Sequence, residues 1–178
     1  LFVKESQAMC LLPGGFGTLD EGLEVLTLLQ TGKRDIVPVV LLDEPGGDYW
    51  QTLQRFIDEH LLARGMISAD DRLLYRITDS AEEAVAEILQ FFRVYHSMRY
   101  VYDRLVIRVG QPLSPELLEK LNVQYADLLS GGRFRLRGPL AAEKDEPELA
   151  HLPRLVFRFN RSSFGRLRQL IDEINRSG

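Results

Sequence analysis

Between an apolar run, Ala8 to Leu12 (AMCLL), and an amphipathic segment opening at Thr18 stands Pro13-Gly14-Gly15-Phe16-Gly17. Few folds accept that order. The apolar run has strand length and is stopped by Pro-Gly-Gly. Three glycines in four positions let backbone N–H groups come close to an anion. The helix behind them adds unpaired donors and the positive end of its dipole. Thr18 offers a hydroxyl. In open α/β sheets ligands sit beyond the carboxyl ends of the strands, where this turn lies. The run is therefore expected to be a phosphate-binding turn in a nucleotide-handling α/β domain.

The rest of the first half keeps one register. Val3 to Gln7 reads as the end of a helix. Thr18 to Thr31 reads as a helix with Leu19, Leu23, Leu26 and Leu29 on its apolar side and Gly32 placed to stop it. Ile36 to Leu42 reads as a buried strand with Pro38 near its start, Gly46-Gly47 as a turn, and Tyr49 to Ala63 as a helix presenting Trp50, Leu53, Phe56, Ile57 and Leu61. Leu73 to Thr78 is the third strand. Asp79 or Ser80 caps a helix running to about Tyr95. Strand and helix alternating three times predicts a parallel sheet covered by helices.

The second half differs. Arg104 to Val109 (RLVIRV), Arg133 to Arg137 (RFRLR) and Arg154 to Phe159 (RLVFRF) alternate charge and apolar side chain, the pattern of half-exposed strands. Ser114 to Tyr125 and Ser163 to Asn175 read as helices opened by a Ser cap. Pro139 to Pro153 is acidic and Pro-bounded and reads as an exposed loop. His96 to Val101 reads as a linker. The expectation is a small α+β unit with an antiparallel sheet. RLVIRV and RLVFRF resemble one another, but two short matches do not make a repeat.

Charge divides the same way. Residues 1–92 hold seven basic and sixteen acidic side chains, residues 93–178 fifteen and ten. The basic half either packs against an acidic surface, the simpler reading, or meets an acidic partner. Arg133, Arg135 and Arg137 form a stripe open to two readings, a solvated strand face or a phosphate contact. No aromatic platform beyond Phe134 accompanies it, so nucleic acid is not expected.

At 178 residues and 45% hydrophobic content the chain can bury a real core. No apolar run approaches the roughly 20 residues of a membrane span. The sequence begins at Leu1, with no leader to read, and reads as opening inside an element, as a piece of a longer protein would. One cysteine, Cys10, fits a reducing cytoplasm and lies in an apolar run as a core residue would. The three histidines lack ligand spacing, and neither metal nor cofactor is expected. Pyridoxal chemistry needs a Schiff-base lysine; Lys4, Lys33, Lys120 and Lys144 all lie away from the turn or flank helices.

Two readings of Glu21 follow from spacing alone. Thr18-x-x-Glu21 fits a capping box in which Glu21 reaches back to the Thr18 amide. Alternatively, Glu21 is a carboxylate one turn into the phosphate-binding helix, available for chemistry. Glu24, three residues on, is a solvated helix residue or an assisting group. Tyr49 and Trp50 line a base pocket, form a dimer face, or pack in the core.

PGGFGTLDE resembles the PGGxGTxxE signature of the LONELY GUY (LOG) family, formerly labelled lysine decarboxylases, and the likeness runs over about residues 1–95. It implies the C-terminal half of a Rossmann-like sheet over residues 1–95, followed by an accessory unit over 100–178. It implies hydrolysis of the N-glycosidic bond of a nucleoside 5′-monophosphate such as AMP, giving free base and ribose 5-phosphate, in a cytoplasmic homodimer or larger homo-oligomer. Members acting on N6-modified adenine nucleotides release cytokinins. Carried over, Gly14, Gly15, Gly17 and Thr18 hold the 5′-phosphate and Glu21 is the catalytic glutamate. Asp20 stands where many members have a second glutamate. The family's Arg-Lys pair would precede Leu1, which implies a site incomplete in this chain. The alternative is a non-catalytic protein that binds nucleotides or molybdenum cofactor and carries a regulatory C-terminal unit.

Overall fold

The computed structural model describes residues 6–178. The expected helix at Val3 to Gln7 lies mostly outside them; Ser6 and Gln7 are not helical. Backbone contacts divide the chain into two units, residues 1–89 with 162–168, and residues 90–161 with 169–178.

The first unit is built on three parallel strands in sequence order: β1 (Met9–Leu11), β2 (Val39–Leu42) and β3 (Arg76–Thr78). Cys10 pairs with Val40 and Leu41 with Ile77. Helix α1 (Phe16–Gln30) links β1 to β2. It ends in a Schellman-type cap: Gly32 adopts φ +65°, its amide donates to Leu29 O, and the Lys33 amide donates to Leu28 O. The buried side of α1 is Gly22, Val25 and Leu29. Leu23, expected there, is 47% exposed. Gly22 sets the orientation, because a Cβ on it would stand 3.0 Å from Leu11 Cδ1.

Helix α2 (Tyr49–Phe56) follows β2 and passes without a break into a π-helical turn, Ile57–Leu62. Trp50 and Ile57 are buried on one face with Leu53 and Leu61 half-buried, whereas Phe56, about 100° round the helix from Ile57, is exposed. The third strand is shorter than expected. Leu73 and Leu74 belong to a 3-10 turn (Ala69–Leu74) that buries Leu74 before the strand starts at Arg76. Helix α3 (Ala81–Phe91) is capped by Ser80, whose hydroxyl accepts from the Glu83 amide.

In the second unit, four antiparallel strands lie in the order β4 (Tyr95–Val101), β5 (Arg104–Val109), β7 (Arg154–Phe159), β6 (Leu129–Arg137). Helix α4 (Pro115–Gln124), capped by Ser114, follows β5, and α5 (Phe164–Arg176) follows β7. The two similar strands are neighbours, with Val106 opposite Val156. The strand order reads the same from either edge about that pair: a hairpin partner outside, a helix after each inner strand.

Two expectations fail at the start of this unit, for one reason. Residues 96–101 are strand, not linker, and α3 stops at Phe91. The buried Asn175 side chain accepts from the amides of Val94 and Tyr95 at 2.9 and 2.8 Å and donates to the Phe91 carbonyl. Three backbone groups that helix would otherwise need are thereby satisfied elsewhere. A bulge between Tyr95 and Ser97 hides β4's period, so its buried residues fall at Tyr95, Met98 and Val101.

The acidic segment is not an exposed loop throughout. Its Ala141–Glu143 turn seats Glu143 at 3% exposure, where it bonds Arg108 at 2.8 Å and Arg154 at 3.3 Å. Arg108 and Arg154 are therefore buried, and β5 and β7 are covered rather than half-exposed. Charge alternation misled here because the counter-ion comes from a distant segment.

Candidate active site

The turn between β1 and α1 is extended at Gly15, the N-cap, and helical from Phe16. Helix onset is thus two residues earlier than expected, which places Thr18 inside the first turn. The capping box is not formed: no side chain caps α1, and no acidic residue lies in its first turn. Glu21 is exposed, with no hydrogen bond or ion pair among the described residues. It is four positions on from Gly17, so both lie along one helix face. Asp20 and Glu24 are exposed too.

Gly14 is required by packing. A Cβ there would stand 2.2 Å from Thr18 Oγ1, so the turn folds its threonine hydroxyl directly over the Gly14 backbone. Gly15 and Gly17 face open space, and a Cβ on either would meet nothing within 4 Å. Their backbone is accessible to a ligand. Phe16 between them is 93% exposed.

Tyr49 fixes the turn from outside. Its hydroxyl donates to the Gly14 carbonyl at 2.6 Å. Its neighbour Trp50 is core: buried to 1%, it donates through Nε1 to Leu42 O at 3.1 Å. Of this pair, Trp50 packs in the core, while Tyr49 lines the cavity described below and bonds the Gly14 carbonyl. The end of β2 also contributes. Asp43, 6% exposed, accepts from the Trp50 amide at 3.2 Å and so holds the start of α2. Sequence reasoning passed over Asp43; its position directly after an apolar strand was the available signal.

A cavity of about 1200 Å³ opens at the carboxyl ends of the three strands. Leu12 and Pro13, Asp43 to Tyr49, and Asp79 to Glu82 line it. Gly14, Gly15, Gly17, Thr18, Asp20, Glu21 and Glu24 lie outside this lining. Among the described residues, five carboxylates and no Lys, Arg or His line the cavity. Those carboxylates disfavour an anion such as phosphate, and the unpaired backbone amides at the start of α1 lie outside the lining. Glu82 accepts from its own amide and from the Ser80 hydroxyl, which holds its carboxyl below the usual range. Among the described residues no group of three or more His, Cys, Asp or Glu is placed to hold a metal ion. Cys10, expected in the core, is exposed: β1 buries Met9 and Leu11, and Cys10 points to the opposite face.

The family described as "possible lysine decarboxylase" matches residues 1–88. Residues 1–88, just under half of the chain, are similar to this family. Curated members are named cytokinin riboside 5′-monophosphate phosphoribohydrolases. LOG4 of Arabidopsis thaliana is 37% identical over 95 residues, 53% of this chain and 42% of the relative. LOG1 of the same plant is 42% identical over 85 residues, 48% of this chain and 38% of the relative. The probable enzyme LOGL1 of Oryza sativa subsp. japonica is 35% identical over 113 residues, 64% of this chain and 49% of the relative. Each match spans less than half of the LOG relative. The decarboxylase wording finds no support in the cavity, where no lysine is present among the described residues: Lys33 and Lys144 are exposed elsewhere, and Lys120 pairs with Glu173.

Proposed function

We propose that the protein is a nucleoside 5′-monophosphate phosphoribohydrolase. Its substrate is an AMP-like nucleotide and its products are free base and ribose 5-phosphate. The observation that carries this reading is the state of α1: the helix starts without a side-chain cap, and Glu21 stands free one turn behind Gly17. A glutamate spent on capping would have left only a phosphate binder.

In this reading the amides of Gly15, Gly17 and Thr18 and the Thr18 hydroxyl take the 5′-phosphate, with Gly14 shaping the turn. A helix rises about 1.5 Å per residue, so Glu21 is carried from the phosphate toward the ribose. The C1′–N bond breaks, its electron pair leaves with the base, and positive charge builds on C1′ and the ring oxygen. The Glu21 carboxylate stabilises that charge and accepts a proton from the water that adds to C1′. Asp20 and Glu24, exposed nearby, reinforce the negative potential.

Self-association into a homodimer is part of the proposal. It is supported by an apolar groove lined by Leu23, Leu26, Ile57, Leu61 and Ile67, beside exposed Leu23. Among the described residues no helix is long and apolar enough to cross a membrane, and we place the reaction in the cytoplasm.

The test is incubation of the full-length protein with AMP, CMP and isopentenyl-AMP, with chromatography for free base and ribose 5-phosphate. Release of both supports the reading. Tight nucleotide binding with no release would transfer the protein to the non-catalytic alternative.

A further inference from the structure

One face of the antiparallel sheet is unusually rich in arginine. Cross-strand pairing puts Arg99 beside Val106, Arg108 beside Arg154, and Arg135 and Arg137 beside Val156 and Arg154. At one end the acidic segment answers this charge. Glu143 binds Arg108 and Arg154, Glu146 binds Arg99 and Arg108, and Asp145 binds Arg99 at 3.2 Å. Leu140 closes the cover by packing on Val101, Val106 and Val156. This end shows that the face takes anionic oxygen.

The other end has no such cover. A cavity of about 240 Å³ is lined there by Arg104, Arg133, Arg135, Arg137 and Arg158, with the Gly131-Gly132 backbone. Two carboxylates approach: Asp103 pairs with Arg158 at 2.8 Å and Glu119 with Arg133 at 3.0 Å. Five cations against two anions leave an excess of three. Arg135 and Arg137 have no carboxylate partner among the described residues. Holding so many guanidinium groups together costs Coulomb energy that a ligand of opposite charge recovers.

We propose that this arginine pocket binds a compact anion carrying two or more linked phosphate groups. Guanidinium forks match phosphate oxygens in bidentate geometry. A diphosphate meets an excess of three charges better than a single phosphate does. The aromatic in the cavity lining, Phe157, is buried, as is nearby Phe134, so neither offers a base-stacking platform, which sets the site apart from a single-stranded RNA surface. The site is independent of the proposed reaction, because all its residues belong to the second unit.

The experiment is calorimetric titration of the full-length protein with pyrophosphate, tripolyphosphate, ADP and AMP, repeated on Arg135→Ala/Arg137→Ala. Both arginines are exposed, and a melting curve checks that the double variant is folded. Pyrophosphate should bind the parent, weaken as sodium chloride is raised, and lose about tenfold or more in affinity in the variant. AMP affinity should be unchanged by the variant, which separates this site from the turn at Gly14. ADP binding tighter than pyrophosphate identifies a nucleotide as the source of the diphosphate; equal binding identifies the diphosphate alone. Absence of pyrophosphate binding, equal affinity in parent and variant, or tighter arginine-dependent binding of a single-stranded RNA oligomer would overturn the proposal.

Discussion

The Tyr49 hydroxyl donates a 2.6 Å hydrogen bond to the carbonyl of Gly14, tying the start of α2 to the turn that opens α1. The two residues are 35 positions apart. The bond fixes where the α1 amides point without using any of them.

Tyr49→Phe removes that bond and keeps the ring. The turn loses its outer tether while the helix and its amides remain. The KM for a nucleoside monophosphate should rise about fivefold, the equivalent of about 1 kcal/mol. Steady-state kinetics on the variant checks this, and the melting temperature should scarcely move.

Gly14 and Gly17 should separate folding from binding. In Gly14→Ala the new methyl collides with Thr18 Oγ1, and thermal unfolding should show a loss of about 1–3 kcal/mol. Gly17 lies inside α1 and faces open space. Gly17→Ala should leave stability unchanged or raise it by up to about 1 kcal/mol, yet weaken nucleotide binding because the methyl occupies the approach to the amides.

Glu143 should make the second unit acid-sensitive. Burial pushes its carboxyl up, but hydrogen bonds from the Leu140 amide, Arg108 and Arg154 outweigh burial and hold it below the usual value. The folded state therefore releases this proton more readily than the unfolded chain. The stabilisation is complete above the unfolded value of about 4.3 and is lost as pH falls through the lower folded value. Glu143→Ala leaves the buried Arg154 without a carboxylate and Arg108 with Glu146 alone, and should cost about 3 kcal/mol. Unfolding followed in urea between pH 7 and pH 3 measures both effects, and the variant should lose the acid-dependent part.

Local pattern carried much of the architecture. β5 and β7 begin and end where charge alternation places them, and Ser80, Ser114 and Gly32 act at the helix ends where the sequence puts them. What stayed hidden was long-range. Asn175 ends α3 from more than eighty residues away, and Glu143 buries two arginines that look solvated. The π turn after Phe56 has no composition of its own and could not be read. The glycine turn before α1 was legible because the turn's geometry is local. Tyr49 was visible only as an aromatic at a helix start, since its partner Gly14 is brought to it by the fold.

Glu21 bears the central claim, and one comparison tests it most directly: base release from AMP by the full-length protein and by Glu21→Gln, with AMP affinity measured on both. The account predicts that Glu21→Gln binds AMP within about twofold of the parent, since an exposed glutamate outside the phosphate contacts adds little to binding, and releases no base. Base release by Glu21→Gln at the parent's rate would contradict it.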